Sequence, residues 1–183
     1  MIKLNTFWDM DNTITRFNEK LDELYPKVYG TPRPDDPTVY KVCDNSRSIF
    51  KTEGFFESLI PFYNALAIME YLHDTGHVVH IITSPMGMGS VAKEKYDWLS
   101  RYLPWLDRDN IFMTGRKDLV GDTNSILIDD APKFLSTWKG ITIGIDAPYN
   151  QDTVTDYRIY DNNYNFLYGI FQSLAYGDLT SVK

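Results

Sequence analysis

Cysteine is nearly absent: Cys43 is the one cysteine in 183 residues. No internal disulfide can form, so a reducing compartment is the expected setting. Histidine is also scarce. His73, His77 and His80 have no carboxylate at ligand spacing, so structural or exposed roles are expected of them rather than a histidine-rich metal centre. Basic residues are outnumbered, 18 Lys and Arg against 25 Asp and Glu, for a net charge of -7. That balance argues against a partner that is a nucleic-acid polymer, whose binders carry a basic stripe. A single small anion stays open as ligand, provided that lysines or a metal supply local positive charge. Long apolar runs are missing too. Nothing approaches the ~20 residues of a membrane span, and Asp9 arrives before any signal-peptide core could form. A soluble, cytoplasmic chain is therefore expected. No internal repeat or low-complexity tract occurs.

What is present is a core-forming composition, 43% apolar and 15% aromatic, at a length that fits one domain with a modest insertion. Short apolar runs alternate with helical patterns. Leu4 to Trp8, Val78 to Ile82, Ile111 to Met113, Ser125 to Ile128 and Ile141 to Ile145 read as five strands, each apolar enough to be covered on both faces. Pro61 can open a helix that carries Ala65, Leu66, Met69 and Leu72 on one stripe and closes at Gly76. Val91 to Leu103 reads as helical up to Pro104. Residues 163 to 175 set Phe166, Leu167, Ile170, Phe171 and Leu174 on one face of a C-terminal helix.

The fold class that follows is α/β, a Rossmann-like parallel sheet with helices on both faces. Residues 17 to 60 break the alternation. Leu21, Leu24, Tyr25 and Val28 suggest an amphipathic helix, Pro32, Pro34 and Pro37 a loop, and Ser46 to Thr52 a further short helix. The expected organisation is a core of residues 1–16 and 61–183 with a helical cap, 17–60, inserted after the first strand. Caps of this kind close over active sites and exclude water.

Ligands of open α/β sheets bind beyond the carboxyl ends of the strands. Past the first strand stand Asp9-Met10-Asp11-Asn12-Thr13, past the second Thr83-Ser84-Pro85, past the third Gly115-Arg116-Lys117, and past the fourth Asp129-Asp130. Alone, each has an ordinary reading as a turn or a helix cap. Their arrival in order at one sheet edge points to phosphoryl transfer. Asp9, Asp11, Asp129 and Asp130 are the candidate ligands of Mg2+, a hard cation that takes oxygen donors. Asp9 is the candidate nucleophile and Asp11 the candidate acid and base. Thr83 and a lysine would hold the equatorial phosphate oxygens. Lys117, in a strand-end loop, is favoured over Lys95, which lies on a predicted helix beside Glu94 where a surface ion pair is the ordinary explanation.

These residues resemble the haloacid dehalogenase superfamily, whose phosphatases carry D-x-D-x-[TV], a strand-end Thr or Ser, a Lys and a late acidic pair. Closer still is the resemblance to the 5'(3')-deoxyribonucleotidases, carried by Asp9-Met10-Asp11, Phe17, Phe55-Phe56-Glu57, Ile82-Thr83-Ser84-Pro85, Glu94-Lys95-Tyr96-Asp97-Trp98 and Leu127-Ile128-Asp129-Asp130. The resemblance implies a magnesium-dependent phosphatase of (deoxy)nucleoside monophosphates that works through an aspartyl-phosphate, and it admits a homodimer. It implies that Phe17 and one of Phe55 or Phe56 flank the base. Ser84, Lys95 and Arg116 join them as candidate substrate contacts. The family usually has Gly where Asn12 stands, and often Arg where Ala131 stands. Two other readings stay open on the residues, a phosphatase of a phosphosugar or other small metabolite, and a non-catalytic module that binds nucleotide or phosphate.

Overall fold

The structure is a computed structural model in which residues 1–34, 48–86 and 89–177 are described. Cys43, the acidic pair Asp35-Asp36, Pro37 and the start of the short helix expected from Ser46 lie outside the described residues. Among the described residues no helix is long and apolar enough to cross a membrane.

Six parallel strands form one sheet. In chain order they are β1 (Asn5–Trp8), β2 (Val78–Thr83), β3 (Ile111–Met113), β4 (Ser125–Asp129), β5 (Ile141–Ile145) and β6 (Tyr157–Ile159). Their order across the sheet is β3-β2-β1-β4-β5-β6, so the winding reverses between β1 and β4. Asn5 lies level with Ser125 and Trp8 with Ile128. The Asp9 N–H continues the ladder to the Ile128 carbonyl at 2.9 Å. Side chains alternate across the pleat. Trp8, Ile81, Ile126 and Ile128 therefore join the large core on one face. Phe7, Ile82 and Leu127 meet Leu135 and Trp138 on the other.

The helices with both ends among the described residues are α1 (Phe17–Tyr29), α2 (Tyr63–Asp74), α3 (Gly89–Tyr102), α4 (Pro132–Leu135) and α5 (Asn165–Tyr176), and residues 48–50 are helical too, within the stretch expected as a short helix. Along α1, Phe17, Leu21 and Tyr25 recur every fourth residue and are buried, and Gly30 closes the helix at φ 73°. Val28, expected on the apolar stripe, is exposed. So is Phe166, expected on the buried face of the last helix; Leu167, Ile170 and Phe171 carry that face instead.

The sixth strand was not expected. β6 has three residues at the sheet edge, only Ile159 is buried, and no apolar run announces it. The two ends of the 17–60 segment meet. Arg16 N–H donates to the Ile60 carbonyl, Phe62 N–H to the Ile14 carbonyl, both at 2.9 Å, and Thr15 bridges Pro61.

Candidate functional site

The reversal of winding between β1 and β4 opens a crevice at the carboxyl ends of those strands. Past β1 the chain curls around one acceptor. The Met10 carbonyl takes the N–H groups of Ile14 and Thr15 at 3.0 Å and the Thr15 hydroxyl at 3.1 Å. Asn12 sits in this turn at φ 57°, a left-handed conformation that the short amide of Asn tolerates better than most side chains.

Asp9 and Asp129 face each other across Lys117. The ammonium donates to Asp9 Oδ1 and, at 2.7 Å, to Asp129 Oδ2, and it is fully buried. Asp129 Oδ1 accepts the Ala131 N–H at 2.8 Å. The Phe134 ring lies 4.5 Å beneath the Lys117 nitrogen. Asp130 is buried beside them and accepts from the Tyr149 hydroxyl.

A second lysine completes the ring. Lys95 donates to Asp11 Oδ2 at 2.6 Å, to Thr83 Oγ1 at 2.9 Å and to the Ser84 carbonyl at 3.1 Å. It is fully buried, so the ordinary reading of a surface ion pair with Glu94 does not hold. Glu94 is buried too. Its carboxylate accepts the N–H groups of Gly54 and Phe56, both at 2.9 Å, and so clamps the return limb of the insertion onto α3. Neighbours in sequence therefore serve two partners on two sides of one helix.

Burial sets the charge states. It raises Asp129 to about 7 against the pull of Lys117, with Asp9 adding to the rise. It holds Asp130 well above the ordinary carboxylate range, helped by Asp129 and Asp9. It also raises Asp11, outweighing Lys95. Burial alone would lower Lys117, but Asp129 and Asp9 more than offset it and keep the ammonium charged.

With every acid ionised, four carboxylates face two ammonium groups, and two negative charges are left over. Asp9, Asp129 and Asp130 offer oxygens that all lie within 4.8 Å of one another. An all-oxygen donor set with that charge fits a hard divalent cation. Asp11 Oδ1 is buried with no hydrogen-bond partner among the described residues, which leaves it able to accept from a bound group.

The remaining predicted residues are placed less directly. Ser84 Oγ accepts the Met86 N–H at 3.2 Å. Arg116 is exposed and pairs with Asp118 at 2.9 and 2.7 Å. Phe17, Phe55 and Phe56 are buried and pack on one another, with Phe17 and Phe56 stacked at 5.8 Å. The Lys95 nitrogen lies 4.8 Å from the Phe56 ring centre.

Two groups at the site were missed. The turn Pro148–Asn150 follows β5 and brings both Tyr149 and Asn150 to Asp130. The strand-end rule that found the other residues, carried on to the fifth strand, would have reached Ala147-Pro148-Tyr149-Asn150.

A family model described as 5' nucleotidase, deoxy (pyrimidine), cytosolic type C matches residues 3–167. A Staphylococcus epidermidis relative is 32% identical over 102 residues, 56% of this chain and 55% of that one. The 5'(3')-deoxyribonucleotidase of Bacillus subtilis is 30% identical over 74 residues, 40% and 42% of the two chains. These matches span about half the length of the curated relatives. Among solved structures, a HAD family hydrolase from Deinococcus radiodurans with bound phosphate and sodium superposes with a TM-score of 0.62 at 10% identity, covering 98% of this chain and 99% of that one. A Bacillus subtilis HAD hydrolase bound to magnesium gives 0.61 at 15% identity, covering 92% and 99%. At such identities the likeness is one of fold.

Proposed function

The chain belongs to the deoxy (pyrimidine), cytosolic type C 5' nucleotidase family, and on that premise we propose that it hydrolyses deoxyribonucleoside monophosphates. The observation that carries the proposal is the ring of four carboxylates and two buried lysines, only Asp11 among the carboxylates being partly exposed, at the point where the sheet reverses its winding.

In this proposal Asp9 attacks phosphorus. Lys117, bonded to its carboxylate, holds the attacking group in place and offers positive charge to the phosphoryl oxygens. The bond from phosphorus to the leaving oxygen breaks as the bond to Asp9 forms. Asp11, whose pKa burial raises against the pull of Lys95, passes a proton to the leaving alkoxide. Asp11 then takes a proton from water, which attacks the aspartyl-phosphate, releases inorganic phosphate and restores Asp9. Thr83 and Lys95, joined at 2.9 Å, border the phosphate on the side of Asp11. Asp9, Asp129 and Asp130 would hold Mg2+, which supplies positive charge against a dianionic substrate.

Phe17 and one of Phe55 or Phe56 are assigned to the base. Their burial here favours a second reading, a smaller phosphate ester without a base, such as a phosphosugar.

Phosphate release from deoxy- and ribonucleoside 5'- and 3'-monophosphates and common sugar phosphates, with Mg2+ and with EDTA, tests both. Release confined to deoxynucleotides and abolished by EDTA is expected. Release from sugar phosphates alone would replace the first reading by the second, and no release from any ester would refute both.

A further inference from the structure

Tyr149 lies outside the ring of candidate catalytic groups yet touches it. Its hydroxyl donates to Asp130 Oδ2 and accepts from Asn12 Nδ2 at 3.2 Å. Asn12 Oδ1 in turn accepts the Asn18 N–H at 2.8 Å. Asn18 is the second residue of α1, and its N–H is one of the donors that a helix start leaves without an internal partner. Arg16, at the capping position, gives no side-chain cap. The amide of Asn12 serves as that cap from six residues upstream, which a glycine at the same left-handed position could not do.

Asp130 is also fixed from behind. Asn150 Nδ2 donates to its carbonyl at 2.7 Å and to the Ile145 carbonyl at 2.8 Å, and Arg158 on β6 donates to Asn150 Oδ1 at 2.6 Å. The backbone is therefore braced by Asn150, and the direction of the carboxylate is set by Tyr149. Groups behind a metal's ligands orient them in this way.

We infer that Tyr149 is a positioning residue for the cation. It aims the Asp130 carboxylate at the space shared with Asp9 and Asp129, and through Asn12 it ties filling of that space to the seating of α1. The inference rests on the proposed function only in taking the three carboxylates as a cation site.

The test uses Mg2+ alone, without substrate. Calorimetric titration of metal-free wild type and Tyr149→Phe should show affinity lowered by about 10–100-fold in the variant. Hydrogen exchange at the start of α1 should slow on adding Mg2+ to the wild type, and stay unchanged in Tyr149→Phe and in Asn12→Gly. Both variants are mild, one removing a hydroxyl and the other placing glycine where φ is positive. Wild-type Mg2+ affinity in Tyr149→Phe would overturn the positioning role. Exchange at α1 that ignores Mg2+ in the wild type would overturn the link to the insertion. If these effects appear but no phosphate ester is hydrolysed, the inference stands and the phosphatase reading falls.

Discussion

The two ends of the sheet bury polar groups in opposite ways. At the amino end His77 Nδ1 accepts the Leu4 N–H at 3.1 Å, His80 Nε2 meets Asn5 at 2.9 Å, and the Ser125 hydroxyl donates to the Asp122 carbonyl at 2.7 Å. Each makes a neutral hydrogen bond, which helps to repay desolvation, although His80 Nδ1 is buried without a partner among the described residues. At the carboxyl end Asp9, Asp129 and Asp130 crowd around Lys117, with Lys95 on Asp11 alongside. Burying ions costs several kcal/mol each on the order-of-magnitude scale, and apolar residues often do as well for stability. The amino end holds its polar groups without charge, whereas the carboxyl end keeps a costly charged cluster of the kind that the proposed hydrolysis would use.

Lys117→Ala should break this contrast most severely. It leaves Asp9 and Asp129 buried without their cation, so urea unfolding should show a loss of about 3–5 kcal/mol, and phosphate release should vanish. At the other end, His77→Ala removes the acceptor of the Leu4 N–H. A loss of about 1–3 kcal/mol is expected, with kcat/KM for phosphate release unchanged.

Much of this contrast was legible in the sequence. Five of the six strands announce themselves as apolar runs, and of the polar residues just past four of them the structure brings Asp9, Asp11, Thr83, Lys117, Asp129 and Asp130 to the crevice, while Arg116 stays exposed on Asp118. What was hidden depends on contacts that periodicity does not encode. Lys95 and Glu94 look like a surface pair because they are adjacent and charged; burial comes from α3 lying between the core and the inserted segment, a packing unknown until the fold is seen. β6 is too short and too polar at Tyr157 and Arg158 to stand out. Tyr149 and Asn150 act from a turn rather than from an acidic or basic motif.

The smallest expected effect concerns pH, and its sign differs between the two ends. Burial pushes His80 below its ordinary value of 6.5, against the opposing influence of the Asn110 side chain, and pushes His77 the same way, with Lys3 adding to it. The unfolded chain then binds more protons than the folded one, so this contribution is complete above 6.5 and is lost as pH falls. Asp129 behaves in reverse. Raised from 3.8 to about 7, it binds its proton more tightly when folded, and its contribution is lost as pH rises through that window. Thermal melts of wild type and His80→Gln with saturating Mg2+ should therefore draw apart as pH falls from 7 to 5, the wild type losing more. Parallel curves would show that His80 does not carry the acid sensitivity of the amino end.

In the proposed function the carboxyl end of the sheet is built around Asp9 as the group that attacks phosphorus. The most direct test is phosphate release from a deoxynucleoside 5'-monophosphate by wild type and Asp9→Asn, side by side in saturating Mg2+, with melting curves of both. A fall in turnover of at least roughly 1,000-fold is expected, in line with loss of a nucleophile, from a variant that melts no earlier than the wild type. A folded Asp9→Asn protein that turns over at the wild-type rate would contradict it.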